Sequence, residues 1–574
     1  MRIRALCVLL CLAGLAEQRT PAPADGAGGH GRRGGQLVVA ERSAPRTFNP
    51  VVITDNPTKT VLERINADLI HINRKTFKTE PALAASWTAS KDGREYTIKL
   101  RPGLKFSDGH ALTADDVVFT FQVYLDEKLG APQRDLLIVA GKPIGVRKVD
   151  DLTIAVSLAE PYAVADRMFD GIAILPRHVL AEAYAAGTLA QQWTVTAAPA
   201  SIVGTGPFRV SEVVSGERVV LERNPNYWKR DGHGEGLPYL DRLVFVAVPS
   251  TDTQWLRFTS GELDVMSGAT AEQFASLPPG RYAAADLGPG LEYNFLFFNL
   301  NDLSRKNLPQ VAARQRWFTD LNFRRAVSRA IDREGIAKLV YRGRGVPLWG
   351  NVSPGNRLWV NASLPHPTRS VVEARAMLKK AGYSWRADGT LVDRQGQRVE
   401  FTIATSATST QRTQMATLIQ ADLKELGMDV RVVPIEFRAL IERVFESLDY
   451  DASVFGLGGG DADPNGEMNV WMSSGSNHLW HLAQTSPATP WEAEIDRLMQ
   501  QQLVTLDVVE RKRLYDRVQA IVAENQPFIF LATPNVLVGA RGDLANFQPS
   551  VLDHYTLWNV EQLYFKPQGT SGRR

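Results

Sequence analysis

The chain has 574 residues, of which 44% are apolar and 22% charged, and its formal net charge is +3. That length exceeds what one hydrophobic core serves, so we expect several lobes of an ordinary globular protein. The near-neutral charge balance gives no basic cluster, so we expect no nucleic-acid partner.

The first residues predict export. Met1-Arg2-Ile3-Arg4 is a short basic start, and an apolar run follows from Ala5 to Ala16. This is the layout of a secretory signal peptide, and the run is too short for a transmembrane helix, which needs ~20 apolar residues. A buried N-terminal helix is the alternative, which the Pro/Gly/Ala-rich stretch after it disfavours. We expect a signal peptide at 1–16 and a disordered leader at 17–35.

Both cysteines of the chain, Cys7 and Cys11, lie inside this segment. If Ala16 ends the signal, the mature protein has no disulfide, no thiol nucleophile and no thiolate metal site. Val8-Leu9-Leu10-Cys11 loosely fits a lipobox, although it lacks the small residues usual before such a cysteine. A lipid anchor on Cys11 therefore stays open as an alternative to a free exported protein.

The first half of the chain shows short strands and one capped helix. The apolar run 36–40 predicts a buried strand, and the alternation over 94–100 predicts a half-buried one. A turn at Pro102-Gly103 follows. Thr113 is a suitable N-cap for a helix over 114–125, whose first turn carries two aspartates.

The second half shows a clearer alternation of helices and strands. Apolar spacing predicts helices near 323–331, 415–423 (ended by Gly427), 437–444 and 514–522, and strands near 399–403, 430–432, 452–455 and 528–531. The strand–helix–strand run over 399–432 implies parallel strands. The predicted class is therefore α/β, with mixed sheets in more than one lobe.

Three stretches in the chain carry the signals of strands, turns and helices and show no catalytic motif. The first, 96–118, is a strand, a Pro-Gly turn, an Asp-Gly turn and a capped helix. The second combines Gly204-Thr205-Gly206-Pro207-Phe208 with 222–228 and 260–265; it lacks the lysine and helix cap of a phosphate-binding loop. The third, 323–334, is rich in arginine, and its helical spacing favours a solvated face over an anion site.

In order and spacing, these stretches resemble the extracytoplasmic solute-binding proteins of family 5, the oligopeptide- and dipeptide-binding proteins of ABC importers. The resemblance covers Gln36 to Phe565. It implies a fold like that of type II periplasmic binding proteins: two main lobes with mixed sheets, joined by a hinge, plus an additional smaller lobe. The implied boundaries are 36–78 with 202–288 and 527–565 for lobe I, 79–201 for the small lobe, 289–526 for lobe II and 566–574 for a tail.

The resemblance also implies a function. The protein would capture a peptide or a related polar solute in the cleft between the lobes and deliver it to an ABC permease complex in the inner membrane. We expect a periplasmic monomer without cofactor, metal or catalytic residues. The alternatives are the same fold binding an oligosaccharide, an opine or a metal complex, or a receptor or chaperone-like binder without transport.

In peptide-binding members of the family, a loop of the form Gly-x-x-x-Asp before an Asp-Pro lies at the cleft and binds the ligand's ammonium group. The corresponding loop here is 455–465, whose glycines would let a ligand backbone approach. The predicted ligand-binding residues of this loop are Gly458, Gly459, Gly460, Asp461 and Asp463. We expect Asp461 to bind the ammonium group, while Asp463 is open to a role in shaping the turn. The loop departs from the pattern because Leu457 replaces a tryptophan and only Ala462 separates the two aspartates.

Three further residues are predicted to contact the ligand, each with a structural alternative. Asn49 follows the first strand and is equally compatible with a plain turn. Asn294 precedes an apolar strand near the crossing between lobes. Trp471 follows the glycine loop in sequence, and core packing is its alternative.

The sequence gives little support to an enzymatic function or to a metal site. Asp461 and Asp463 are too close in sequence to resemble the carboxylate pair of a glycosidase. Neither a nucleophile elbow nor a zinc-binding helix motif is present. His478 and His481 lie three residues apart, and no third ligand is evident.

Overall fold

The computed structural model describes residues 31–53, 55–458, 462–482, 484–552 and 556–567. Within these ranges the polypeptide forms short strands distributed over several sheets. In chain order they are β1 (Gln36–Glu41), β2 (Ile70–Ile72), β3 (Thr79–Pro81), β4 (Ala84–Ala89), β5 (Glu95–Leu100), β6 (Ile138–Val139), β7 (Lys142–Pro143), β8 (Gly145–Asp150), β9 (Thr153–Ser157), β10 (Phe208–Val214), β11 (Arg218–Arg223), β12 (Arg242–Ala247), β13 (Val265–Ser267), β14 (Tyr282–Pro289), β15 (Tyr293–Phe298), β16 (Gly345–Pro347), β17 (Ser384–Trp385), β18 (Leu391–Val392), β19 (Glu400–Ser406), β20 (Asp429–Ile435), β21 (Ala452–Leu457), β22 (Phe528–Phe530), β23 (Ala532–Arg541), β24 (Leu544–Ala545) and β25 (Tyr564–Phe565).

The α-helices are concentrated in the second half of the chain. They are α1 (Asn56–Ile65), α2 (Ala114–Leu125), α3 (Arg177–Ala185), α4 (Thr251–Ser260), α5 (Ala271–Ala275), α6 (Pro309–Phe318), α7 (Leu321–Ala330), α8 (Arg333–Val340), α9 (Val371–Lys380), α10 (Thr410–Lys424), α11 (Phe437–Ile441), α12 (Met468–Trp471), α13 (Pro490–Val504) and α14 (Val508–Asn525). Short 3₁₀ helices include Pro50–Val52 and Pro464–Glu467, and a π-helix continues α11 over Glu442–Ser447. In the described part of the chain, no helix has both the length and the apolar character to cross a membrane.

Four larger sheets carry the architecture, and their strand orders are β1-β12-β11-β10, β4-β5-β9-β8, β13-β23-β14 with β16 beside β23, and β20-β19-β21-β15-β22. The first contains one parallel pair, β1 with β12, among antiparallel ones. In the last, β19 and β20 are parallel and α10 connects them, which confirms the predicted β-α-β unit. The mixed sheets confirm the predicted α/β class.

Two adjacent chain segments join the β13-β23-β14 sheet to the five-stranded sheet. β14 ends at Pro289 and β15 begins at Tyr293, while β22 ends at Phe530 and β23 begins at Ala532. Backbone hydrogen bonds hold the segments side by side: Gly290 N donates to Pro534 O at 2.9 Å, and Leu531 N donates to Asn294 O at 2.9 Å. A double crossing of this kind is the arrangement in which a few residues can act as a hinge.

The hydrophobic core shows how the predicted lobes pack. One continuous cluster combines β1, the β4-β5-β9-β8 sheet and β10, with members such as Leu37, Ile98, Phe121 and Phe208. Two other clusters cover opposite faces of the five-stranded sheet. Because side chains of 79–201 share a core with the β1-β12-β11-β10 sheet, the predicted small lobe is packed against lobe I as one body. The lobe boundaries themselves stay a prediction.

Candidate functional site

The glycine loop begins where the five-stranded sheet ends. β21 pairs with β15 as far as Leu457 opposite Tyr293, and a Cβ at the following Gly458 would meet no atom of the described residues within 4 Å. The predicted ligand residues Gly459, Gly460 and Asp461 lie outside the described residues. Ala462 is buried on the other side, and its carbonyl accepts a 2.7 Å hydrogen bond from Asn356 Nδ2. The loop is thus held on both sides by described contacts.

A buried ion pair fixes the C-terminal end of the loop. Asp463 is 4% exposed and binds Arg511 in a bidentate fork, with Oδ2 to Nη1 at 3.0 Å and Oδ1 to Nη2 at 2.9 Å. Asp463 Oδ1 also accepts a hydrogen bond from Asn465 N and caps the 3₁₀ helix Pro464–Glu467. With both of its oxygens bound, the carboxylate of Asp463 favours the turn-shaping role, which the sequence had left open.

The N-terminal end of the loop rests on a polar cluster around Asn294. The Asn294 side chain accepts a 3.1 Å hydrogen bond from Arg412 Nε, and its Nδ2 donates to Tyr341 Oη at 3.1 Å. A Cβ at Gly456 would lie 2.5 Å from both Arg412 Nη2 and Asn294 Oδ1. Glycine is therefore required here because the cluster lies directly against the strand, and Asn294 is 1% exposed.

Arg412 is the charged residue beside the loop that the sequence reasoning did not single out. It occupies the first turn of α10, where Ser409 caps the helix and accepts a hydrogen bond from Arg412 N. A cation is unfavourable near the positive N-terminal end of a helix dipole. That mismatch is the signal in the sequence that could have identified Arg412.

The small lobe reaches the same loop. Asn465 Nδ2 donates a 2.7 Å hydrogen bond to Tyr162 Oη, and Ala163 N donates to Leu503 O, also at 2.7 Å. These bonds connect 79–201 to the segment that follows Asp463 and to α13. The C-terminal end of the glycine loop therefore lies where all three predicted lobes meet.

The two remaining predicted contacts are both buried and hydrogen-bonded. Trp471 is 0% exposed within the core of the five-stranded sheet, and its Nε1 donates to Glu467 Oε2 at 3.1 Å. Asn49 is 1% exposed; its Oδ1 caps Pro50–Val52 by accepting from Val51 N, and its Nδ2 donates to Leu189 O at 2.8 Å. These contacts favour core packing for Trp471 and a plain turn for Asn49.

The histidines singled out by sequence are held by protein contacts. His478 is 0% exposed, with its Nε2 3.2 Å from Glu492 Oε1 and its Nδ1 3.0 Å from Val470 O. Burial opposes ionisation of Glu492, but hydrogen bonds from His478, Gln484, Thr489 and Trp480 outweigh it and lower the pKa of Glu492 to about 2. His478 thus belongs to a buried hydrogen-bond network within the fold.

A second group combines three potential metal ligands, Asp68, His71 and Asp170. The His71 Nδ1 lies 2.9 Å from Asp68 Oδ2 and 3.3 Å from Asp170 Oδ1, and Arg74 Nη2 lies 3.1 Å from Asp170 Oδ2. Burial opposes the charged imidazole, but the hydrogen bonds to Asp170 and Asp68 outweigh it and raise the pKa of His71 to about 10. As described, Asp68, His71, Asp170 and Arg74 form a network of ion pairs and hydrogen bonds.

The sequence matches the family model for bacterial extracellular solute-binding proteins, family 5, over residues 78–478. It is 28% identical over 516 residues to a probable ABC transporter-binding protein of Deinococcus radiodurans, covering 86% of this chain and 85% of that one. It is 27% identical over 520 residues to the oligopeptide-binding protein AppA of Bacillus subtilis, covering 88% of each chain. The solved structure of Bacillus subtilis AppA in complex with a nonapeptide superimposes with a TM-score of 0.69 at 24% identity, covering 94% of this chain and 100% of that one.

Proposed function

We propose, from the premise that this chain belongs to the bacterial extracellular solute-binding proteins of family 5, that it captures short peptides between its lobes and delivers them to an ABC permease. The observation that carries the proposal is the glycine loop 458–463, whose two ends are fixed by a strand and by a buried ion pair. Fixed ends shorten the segment that a ligand must order, which lowers the entropic cost of binding to backbone groups and a carboxylate of the loop.

The loop supports peptide recognition through its backbone. β21 pairs with β19 at Ala452 and Ser453 and with β15 as far as Leu457, and the chain then leaves the sheet at Gly458. Glycines beyond that point allow an extended ligand to approach and pair with main-chain groups, as in β-augmentation. The likeness to an oligopeptide-binding protein agrees with this mode of binding.

Asp461 supplies the specific charge in this proposal. Its carboxylate would accept hydrogen bonds from the ligand's terminal ammonium group, and charge-assisted bonds of this kind exceed neutral ones in strength. Because the Asp463 carboxylate is paired with Arg511, we assign the two aspartates different roles. Asp461 binds the ligand and Asp463 holds the loop.

The transport cycle requires only binding energy from this chain. We propose that lobe I with the small lobe (36–288 and 527–565) closes on lobe II (289–526) about the double crossing at Pro289 and Leu531. A ligand shifts this equilibrium by its higher affinity for the closed form. The closed surface would then dock on the permease, with no covalent step. The basic start and apolar run of 1–16 support export to the periplasm, and Cys11 keeps the lipid-anchored form open.

Replacing Asp461 with asparagine tests this assignment. Tripeptides with a free N-terminus should bind the variant about 10- to 100-fold more weakly, because the replacement removes one charged hydrogen-bond partner. N-acetylated forms of the same peptides should bind the variant and the wild type equally. Isothermal titration of both peptide sets against both proteins gives the four affinities.

The control is Asp449→Asn, a neighbouring acidic residue on the exposed turn before β21. It should leave all four affinities unchanged. Equal weakening of free and acetylated peptides by Asp461→Asn would contradict the ammonium role and would indicate damage to the loop instead.

A further inference from the structure

Arg64, near the end of α1, has a buried guanidinium group with unsatisfied hydrogen-bond donors. The residue is 6% exposed, and no acceptor among the described residues lies within hydrogen-bond reach of Nε or Nη2. Buried polar groups in native proteins are nearly always paired, and an unpaired one costs stability. A buried arginine left in this state therefore needs a functional explanation.

Arg64 lines three cavities, whose volumes are about 470, 180 and 90 Å³. The largest lies between α1 and the small-lobe segments around 132–136 and 170–173. Its size falls within the range of sites for small ligands, roughly 300–1,000 Å³. Pro50, Ile53, Leu62 and Trp558 give it an apolar wall beside the charged end.

The charges around Arg64 do not replace a ligand. Glu63 Oε2 lies 3.7 Å from Arg64 Nη2, which is longer than a hydrogen bond. Burial lowers the pKa of Arg64 below its ordinary value even though Glu63, Glu561 and Glu41 lie near enough to raise it. The surroundings thus leave the guanidinium less well solvated than water would.

Three acidic side chains that line the largest cavity, those of Asp55, Asp68 and Asp170, are bonded to other groups of the protein. Asp68 and Asp170 bind the protonated His71, and Asp170 also binds Arg74. Asp55 caps α1, with hydrogen bonds from Thr58 N and Thr58 Oγ1. Of the cations that line the cavity, Lys59 lies 3.8 Å from Glu63, whereas Nε and Nη2 of Arg64 have no hydrogen-bond acceptor among the described residues.

We propose that Arg64 anchors the oxyanion of a small ligand, a carboxylate or a phosphate, whose body occupies the 470 Å³ cavity against Ile53 and Trp558. A planar guanidinium with free Nε and Nη2 donors matches two oxygens of such a group in a bidentate fork. The described residues that line this cavity all lie outside 289–526, and the described loop residues Gly458, Ala462 and Asp463 are not among them. The proposed oxyanion anchor therefore uses different described residues from those at the two ends of the glycine loop.

Benzoate, inorganic phosphate and benzamide are suitable probes, titrated at constant ionic strength by calorimetry and by thermal shift. Benzoate or phosphate should bind the wild-type protein and raise its Tm, whereas the neutral benzamide should do neither. Stronger binding of benzoate identifies a carboxylate ligand with an apolar body, and stronger binding of phosphate identifies a phosphorylated one. Arg64→Met should lower the affinity for the anion that binds the wild type by about tenfold or more.

Two further measurements separate this role from a structural one. Without any probe, Arg64→Met should have a Tm equal to or above that of the wild type, because it removes a buried and unpaired charge. Arg513→Met is the matched control; this side chain is 71% exposed and should leave anion binding unchanged. If Arg64→Met fails to fold, the proposal is overturned, because Arg64 then serves the fold. The proposal is also overturned if neither benzoate nor phosphate binds the wild type, or if Arg64→Met binds these anions with the affinity of the wild type.

Discussion

Replacing Arg511 with methionine is expected to destabilise the protein by about 3–5 kcal/mol, because it leaves the Asp463 carboxylate buried without a counter-charge. The two side chains are only 4% and 5% exposed, so water cannot solvate the Asp463 carboxylate in place of the guanidinium. Arg511 also donates to Gln502 O and Gln502 Oε1, so its loss removes the donor to the buried Gln502 Oε1 as well. Urea-induced unfolding measures the loss of stability. Peptide binding should fall with it, since Asp463 would no longer hold the glycine loop.

Arg513→Met is the control on the same helix. Arg513 pairs with Glu510 on the solvent side of α14, and an exposed pair of this kind contributes about 0–1 kcal/mol. Adding Asp463→Asn to Arg511→Met should recover part of the lost stability, because it removes the uncompensated charge. A stability of Arg511→Met close to that of Arg513→Met would show that the ion pair does not hold the loop.

Replacing Gly204 with alanine is expected to cost about 3 kcal/mol through a steric clash with α1. A Cβ at Gly204 would lie 2.0 Å from Ile65 O, and this backbone atom cannot rotate away. The carbonyl is held in place because Gly206 N donates to it at 2.9 Å. Thermal unfolding of the variant should show a Tm several degrees below that of the wild type.

Gly232→Ala serves as the comparison, since a Cβ there would meet no atom within 4 Å. Its Tm should stay close to the wild-type value. If Gly204→Ala and Gly232→Ala unfold at the same temperature, close packing against α1 is not the reason that position 204 is a glycine. In the structure, Gly204 and Gly206 permit a close approach of their segment to the end of α1.

Local elements were predictable wherever their signals lie close together in sequence. The helix Ala114–Leu125 begins and ends where the sequence indicates, because Thr113 and Asp116 form a complete capping box. The parallel pair β19–β20 followed from a strand, a helix and a strand within one short stretch. The helix predicted over 437–444 is confirmed only in part, since α11 ends at Ile441 and a π-helix continues to Ser447.

The site was less predictable because its contacts join distant segments. The glycine loop could be located by its composition, but the partner of Asp463 is Arg511, 48 residues further along the chain. Asn294 meets Arg412 across 118 residues. The buried state of Arg64 depends on cavity walls from α1, the small lobe and the C-terminal segment, and no local pattern in the sequence encodes that meeting.

The measurement that tests the central claim most directly is a thermal-shift screen of the purified mature protein, preceded by native mass spectrometry to detect retained ligand. A bound ligand raises Tm by mass action. We expect di- to pentapeptides with free termini to raise Tm in the order of their affinities, and any retained ligand to have a mass consistent with a peptide. If peptides leave Tm unchanged while oligosaccharides, opines or metal complexes raise it, the chain keeps its place in the family and peptide capture is contradicted.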